Sequence, residues 1–227
     1  MSTSEKWTRT IGGGSRLGRW GLPVVVSMVA AGGCGQKVGA LMYIFGVGPK
    51  QRVSAEYKLP KGPVLVLVDD DLDLIQPPLA RHALVDELAK QLREHGIAER
   101  VTTNEELARI RQSEPDFDGV AADAVGRLAR ADTVLWLSTK EFFVEDDVEI
   151  ASSPGRFTVV LKVVNALAKK RQDVRLWPPE PEGRLITVTL KPHEIRSCKT
   201  RPEVHQKTAA AMADKVARLF YDWEAEQ

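Results

Sequence analysis

Four carboxylates crowd into "VLVLVDDDLD": Asp69, Asp70, Asp71 and Asp73 follow directly on an apolar run. Two chemistries are open to such a group. Clustered carboxylates suit Mg²⁺ or Ca²⁺, hard cations that take oxygen ligands, and the carboxyl end of a buried strand is where α/β folds bind ligands. That combination would make a metal-dependent hydrolase-type enzyme working through Asp69 to Asp73. The other chemistry is structural: aspartates ahead of a helix cap its free N–H groups and favour its positive end. The structural reading is preferred and the hydrolase is the alternative, because no other catalytic pattern accompanies the cluster. His82, His95, His193 and His205 have no metal-ligand spacing, and no GxSxG or Cys–His arrangement joins them. The expectation is a chain that is not an enzyme, with no catalytic residue, metal or cofactor.

The second chemistry-bearing residue is Cys34 in "VAAGGCGQKVGA", one of only two cysteines. Upstream, Lys6, Arg9, Arg16 and Arg19 stand against the single Glu5, and the run Trp20 to Ala31 carries no charge. A basic start, a short apolar run below the ~20 residues of a membrane span, and small residues before a break describe a secretory leader. Small side chains let the extended backbone lie close to a peptidase. With Cys34 directly after Ala31, Gly32 and Gly33, the order resembles the lipobox of bacterial lipoproteins. That resemblance implies diacylglycerol on the Cys34 sulfur, recognition of Ala31, Gly32 and Gly33 by the signal peptidase, and a mature chain beginning at Cys34. It also implies membrane lipid as the partner of Cys34 and a domain facing the periplasm. Gly35 stands where an aspartate marks inner-membrane retention in some bacteria, which favours the outer membrane.

Without its leader the chain keeps 194 residues, enough for one domain with a proper core. The leader holds four of the basic residues and one acid, leaving 28 Lys and Arg against 30 Asp and Glu. That balance gives no footprint for nucleic acid. Lipidation of Cys34 would leave Cys198 alone, so no internal disulfide is expected. The organisation expected is a signal peptide over 1–33, a lipid anchor and tether over 34–62, and a single domain over 63–227. Within the tether, "VGALMYIFGVG" is too short to span a membrane, and "PKQRVSAEYKLPKGP" reads as extended chain.

The elements that would position these residues follow from periodicity. "VLVLV" is a strand buried on both faces. "LARHALVDELAKQLREHG" is an amphipathic helix with Leu79, Ala83, Leu84, Leu88 and Leu92 inward and Gly96 at its end. A short strand in "ERVTT", a helix in "NEELARIRQ" and a helix striped by Val120, Ala124, Val125 and Leu128 come next. "DTVLWLSTKEFFV" is a second buried strand. "RFTVVLKVVNALA" alternates, with Phe157, Val159, Leu161 and Val163 on one face and Thr158 and Lys162 on a wet one. "VRLWP" and "GRLITVTL" supply further strands, and "KKRQDVR" reads as a solvated basic turn. "TRPE" opens a last helix with Thr200 as cap and Met212, Val216, Leu219, Phe220 and Trp223 inward. The fold class expected is α/β with α+β character. It comprises a mixed central sheet, a long helix after the first strand, an antiparallel hairpin near 155–190 and a C-terminal helix docked on the sheet.

"VLVLVDD" before a long helix, "LARADTVLWLS" and "RFTVVLKVVNALAKKRQDVRLWP" before "TAAAMADKVARLFYD" stand in an order that resembles one group of bacterial proteins. These are the amino-terminal domain of TolB, CsgG and the lipoprotein activators of penicillin-binding proteins. The resemblance covers about residues 60–224 and implies a domain for envelope assembly and protein contact, with an unidentified envelope protein as partner. Trp177, beside Pro178 and Pro179, is the candidate partner contact. "VLVLVDDDL" also resembles the opening of a response-regulator receiver, but no buried strand ending in Asp follows some forty residues on.

Overall fold

The computed structural model describes residues 51–76, 78–114, 117–145, 148 and 151–225. The expected leader, Ala31, Gly32, Gly33 and Cys34, and the apolar stretch 38–48 lie outside the described residues. The elements in chain order are β1 (Gln51–Val53), β2 (Val64–Asp69), α1 (Leu79–Glu94), α2 (Asn104–Ser113) and α3 (Ala122–Leu128). Next come β3 (Thr133–Phe143), β4 (Gly155–Asn165), β5 (Arg175–Trp177) and β6 (Arg184–Leu190). The chain closes with α4 (Pro192–Arg196), α5 (Arg201–Ala217) and β7 (Trp223–Ala225). The fold is α/β with a mixed sheet, as its sequence patterning implies.

β2 pairs parallel to β3, β3 antiparallel to β4, and β4 carries both β6 and β5 along its outer edge. The strand expected in "ERVTT" shrinks to one bridge, Val101 to Val64. One sheet face carries Val64, Val66, Val68, Leu135, Leu137, Phe157, Val159, Leu161 and Val163, and α1 and α5 cover it from end to end. On the other face α2 and α3 cover β2, β3 and the last residues of β4, through Leu65, Leu67, Leu107, Val125, Ala129, Val134 and Val164. The domain is therefore three layers deep over β2, β3 and the end of β4, and two layers deep over the rest of β4 and β6. There the outward residues are Thr158, Val160, Lys162, Leu185 and Thr187, and Leu185 is 62% exposed.

That outer face is drier than the alternation implies. Thr158 is only 8% exposed, because Glu141 across the ladder and Thr187 on β6 lie within hydrogen-bond reach of its hydroxyl. A β-bulge at Lys140 separates the two halves of β3. The extra residue reverses the strand's parity, so Phe142 joins the core face and meets Phe157 edge-on at 5.1 Å.

The helices hold their expected places with local corrections. In α1, Leu84, Leu88 and Leu92 are fully buried, whereas Leu79 at its first position is exposed. In α3, Leu128 is exposed and Gly126 and Ala129 face the sheet instead. Gly126 is required there: a Cβ would stand 2.5 Å from Val134 and 2.7 Å from Ala166. Thr103 and Glu106 form a full capping box on α2. Thr200 caps α5 as its sequence implies, but the Glu203 carboxylate reaches past it to the Lys199 N–H at 2.6 Å. α5 ends at Ala217, so Leu219 and Phe220 sit in the following turn and Trp223 belongs to β7.

The described part of the expected tether, from residue 51, is extended and fastened to the domain. β1 pairs antiparallel with β7. Asp222 accepts from Arg52 and from the Ala55 N–H, each at 3.0 Å. These contacts, the Ala55 N–H first, hold its carboxyl below the usual range. Glu56 pairs with Arg184 at 2.7 Å, and Tyr57 stacks on Trp177 at 5.9 Å.

Candidate functional site

The four aspartates stand at the carboxyl end of β2, where an α/β fold exposes strand ends to ligands. The Asp70 carboxylate accepts the N–H groups of Leu74 at 3.0 Å and Ile75 at 2.8 Å, and its own carbonyl accepts from Asp73 at 2.9 Å. Both of its carboxylate oxygens thus organise the turn that reverses the chain into α1. Asp73 sits in that turn at φ +52°, a conformation aspartate tolerates better than most residues. The expected role as helix cap is corrected here. Pro78 occupies the N-cap of α1 and no side chain caps it, because the turn sets the aspartates a few residues too early.

Asp69 points across the sheet's second face. It accepts the indole N–H of Trp136 at 3.0 Å, a bond between strands 67 residues apart. Burial pushes its carboxyl above the usual aspartate range and a hydrogen bond with Asp71 adds to this, while the Trp136 N–H pulls the other way. Among the described residues, no group of His, Cys, Asp or Glu is arranged to hold a metal ion.

The raised Asp69 carboxyl makes a pH prediction. An acid whose folded pKa exceeds its unfolded one favours the fold when protonated. Its contribution is complete below the ordinary aspartate pKa of about 4 and is lost as pH rises through the folded value. Asp69→Asn, which keeps an oxygen for Trp136, should show a smaller decline in urea midpoint between about pH 4 and pH 7 than the parent chain. Parallel declines would show that Asp69 titrates as it does unfolded.

Trp136 links the acidic end to a basic cleft of about 750 Å³ on the same sheet face. Lys162, from the neighbouring strand, places its ammonium 5.1 Å from the centre of the Trp136 ring, a cation–π contact. Val164, Ala166 and Val174 complete an apolar floor, and Arg127, Lys169, Lys170, Arg171 and Arg175 stand around it. Arg127 is fixed from two sides, by Asp123 at 2.8 Å and by the Ala166 carbonyl at 3.1 Å. Trp136 and "KKRQDVR" stand more than thirty residues apart along the chain. Their signal was present, but only strand pairing joins them.

The remaining candidates fall elsewhere. Trp177 is half-buried, with Tyr57 stacked on it and Phe220 edge-on at 6.3 Å, so much of its surface is spent inside the domain. His95 closes α1 and stacks on Tyr221 at 3.7 Å, and His205 is buried edge-on to Phe142. Cys198 is half-buried near the Glu194 carbonyl. Among the described residues, no helix is long and apolar enough to cross a membrane.

No protein-family model matches the sequence, and no curated protein matches it. Solved structures do resemble the domain. The PelC dodecamer from Paraburkholderia phytofirmans aligns at 17% identity with TM-score 0.44, over 77% of this chain and 99% of that one. Lipoprotein GNA1162 from Neisseria meningitidis aligns at 14% identity with TM-score 0.36, over 57% and 79% of the two chains. The hypothetical protein CT253 from Chlamydia trachomatis aligns at 11% identity with TM-score 0.39, over 69% and 91%. These three are bacterial proteins, one of them a lipoprotein.

Proposed function

We propose that this chain is a lipid-anchored protein of the bacterial cell envelope, carrying diacylglycerol on Cys34, whose domain faces the periplasm and binds a protein partner without catalysis. The observation that carries the reading is the order of a basic start, an uncharged Trp20–Ala31 run, three small residues and Cys34. Because the chain is fastened to the domain from Gln51 on, residues 35–50 are the span left between anchor and domain. At ~3.5 Å per residue that reaches about 55 Å at most, which confines the domain near its membrane and raises its effective concentration for a partner. The outer membrane and an assembly role like that of the TolB, CsgG and penicillin-binding-protein-activator group belong to the same proposal. The engagement of Asp70 by two backbone amides and of Asp69 by Trp136 supports a structural use of the acidic cluster.

Cys34→Ser should abolish palmitate incorporation and block cleavage before residue 34, while Cys198→Ser changes neither. Radiolabelling with intact mass of the membrane fraction measures both. A parent chain that takes up no label, or whose amino terminus lies upstream of Cys34, would overturn the anchor. A thermal transition raised by Mg²⁺ or Ca²⁺ in the parent and not in Asp70→Asn would instead establish a metal site in the acidic cluster, which the hydrolase alternative requires.

A further inference from the structure

We infer that the basic cleft beside Trp136 is a second membrane contact, which lays the anchored domain against an anionic phospholipid surface through residues 166–175. The inference rests on the anchor reading for the nearness of a bilayer. Its own evidence is the distribution of charge.

Six cations, Arg127, Lys162, Lys169, Lys170, Arg171 and Arg175, line the cleft against one carboxylate, Asp123, which Arg127 already pairs. The chain after its leader has slightly more acids than bases, so this face is a local concentration of positive charge. Among the described residues, Lys169, Lys170, Arg171 and Arg175 make no salt bridge, and all four are exposed. Their charge is available to an outside partner.

Leu167 identifies the partner as a bilayer. It stands 61% exposed in the loop directly before the lysines, and its N–H is held by the Asn165 side chain at 3.0 Å, which fixes the loop's start. An apolar tip ringed by cations suits the headgroup boundary, where the leucine enters the acyl edge and the cations meet phosphates. A soluble polyanion would use the charges and leave the leucine in water. A nucleic-acid strand would want an open aromatic face, and Lys162 already covers that of Trp136.

The diacylglycerol proposed on Cys34 already supplies two acyl chains, so the polybasic patch would orient the domain on the surface rather than retain it there.

The test uses the full processed chain with vesicles of phosphatidylcholine alone or with a third phosphatidylglycerol, reading flotation and amide hydrogen exchange. In the anionic vesicles, exchange across 166–175 should slow about tenfold and recover in high salt. The triple variant K169E/K170E/R171E should lose that slowing while α5 exchanges as in the parent, which shows the domain intact. Equal exchange in both vesicle types, with the protein floating in both, overturns the membrane contact and leaves the anchor standing. Flotation with anionic vesicles only overturns the anchor and upholds the contact; flotation with neither overturns both. Slowing by added polyglutamate, but not by phosphatidylglycerol, overturns the proposal in favour of an acidic protein partner.

Discussion

Val159→Asp should leave no cooperatively folded domain. Val159 is fully buried on β4 among the core residues beneath α1 and α5. The substitution forfeits about 1.5–3 kcal/mol of apolar burial and places a carboxyl among hydrocarbon at a cost of several kcal/mol more. Set against the roughly 5–15 kcal/mol that holds a domain together, that loss removes most of the margin. Leu185→Asp supplies the contrast. Leu185 lies opposite Val160 on the sheet's outer face and is 62% exposed, so its replacement should stay within about 0.5 kcal/mol. Thr158→Asp should fall between them. From the sequence its face looks wet and the change mild, but the new carboxylate would meet Glu141, whose Oε2 lies 3.3 Å from the Thr158 hydroxyl. Urea denaturation of the three variants gives the order directly, and damage from Leu185→Asp equal to that from Val159→Asp would show the outer face covered in solution.

Deleting residues 200–227 should abolish the cooperative thermal transition. The deletion removes α5, with Val204, Ala209, Met212, Ala213, Val216 and Ala217 all fully buried, and it exposes the sheet face that these residues cover. It also removes β7, the partner of β1, and Asp222, which holds Arg52 and the Ala55 N–H. A point variant reads the same packing without truncation. Met212→Ala should cost about 2–5 kcal/mol, a drop in Tm of roughly 5–15 °C for a domain of this size. A truncated chain that still melts cooperatively, or Met212→Ala melting within a degree of the parent, would mean that α5 is not part of the core.

The long strands and helices were legible in the sequence because each announces itself within a few residues, whereas β1, α4 and β7 were not. "VLVLV" has no polar position, so it needs cover on both faces. Leu84, Leu88 and Leu92 recur at helical spacing, and all three are buried in α1. Thr200 and Pro202 mark a helix start through local hydrogen bonding and a fixed φ, and α5 begins there. The proposed leader and its Cys34 likewise rest on order along the chain.

Only the tertiary structure decided what depends on partners distant in sequence. Asp70 works in a turn because its oxygens meet the amides of residues 74 and 75, a geometry that four adjacent aspartates do not specify. The parity of Phe142 rests on the bulge at Lys140, which a pattern of alternating residues cannot display. The stretch around Tyr57 looks like free linker until Trp177 and Arg184 are placed beside it. The cleft has the same origin. Trp136, Lys162 and Arg127 lie on two strands and a helix, and the basic loop 169–171 reads as solvated until the pairing of β3 with β4 and the packing of α3 bring them together. Periodicity fixes which side of each element is apolar. Which elements meet, and therefore which charges converge, is set by the register of the sheet and the length of the loops between its strands.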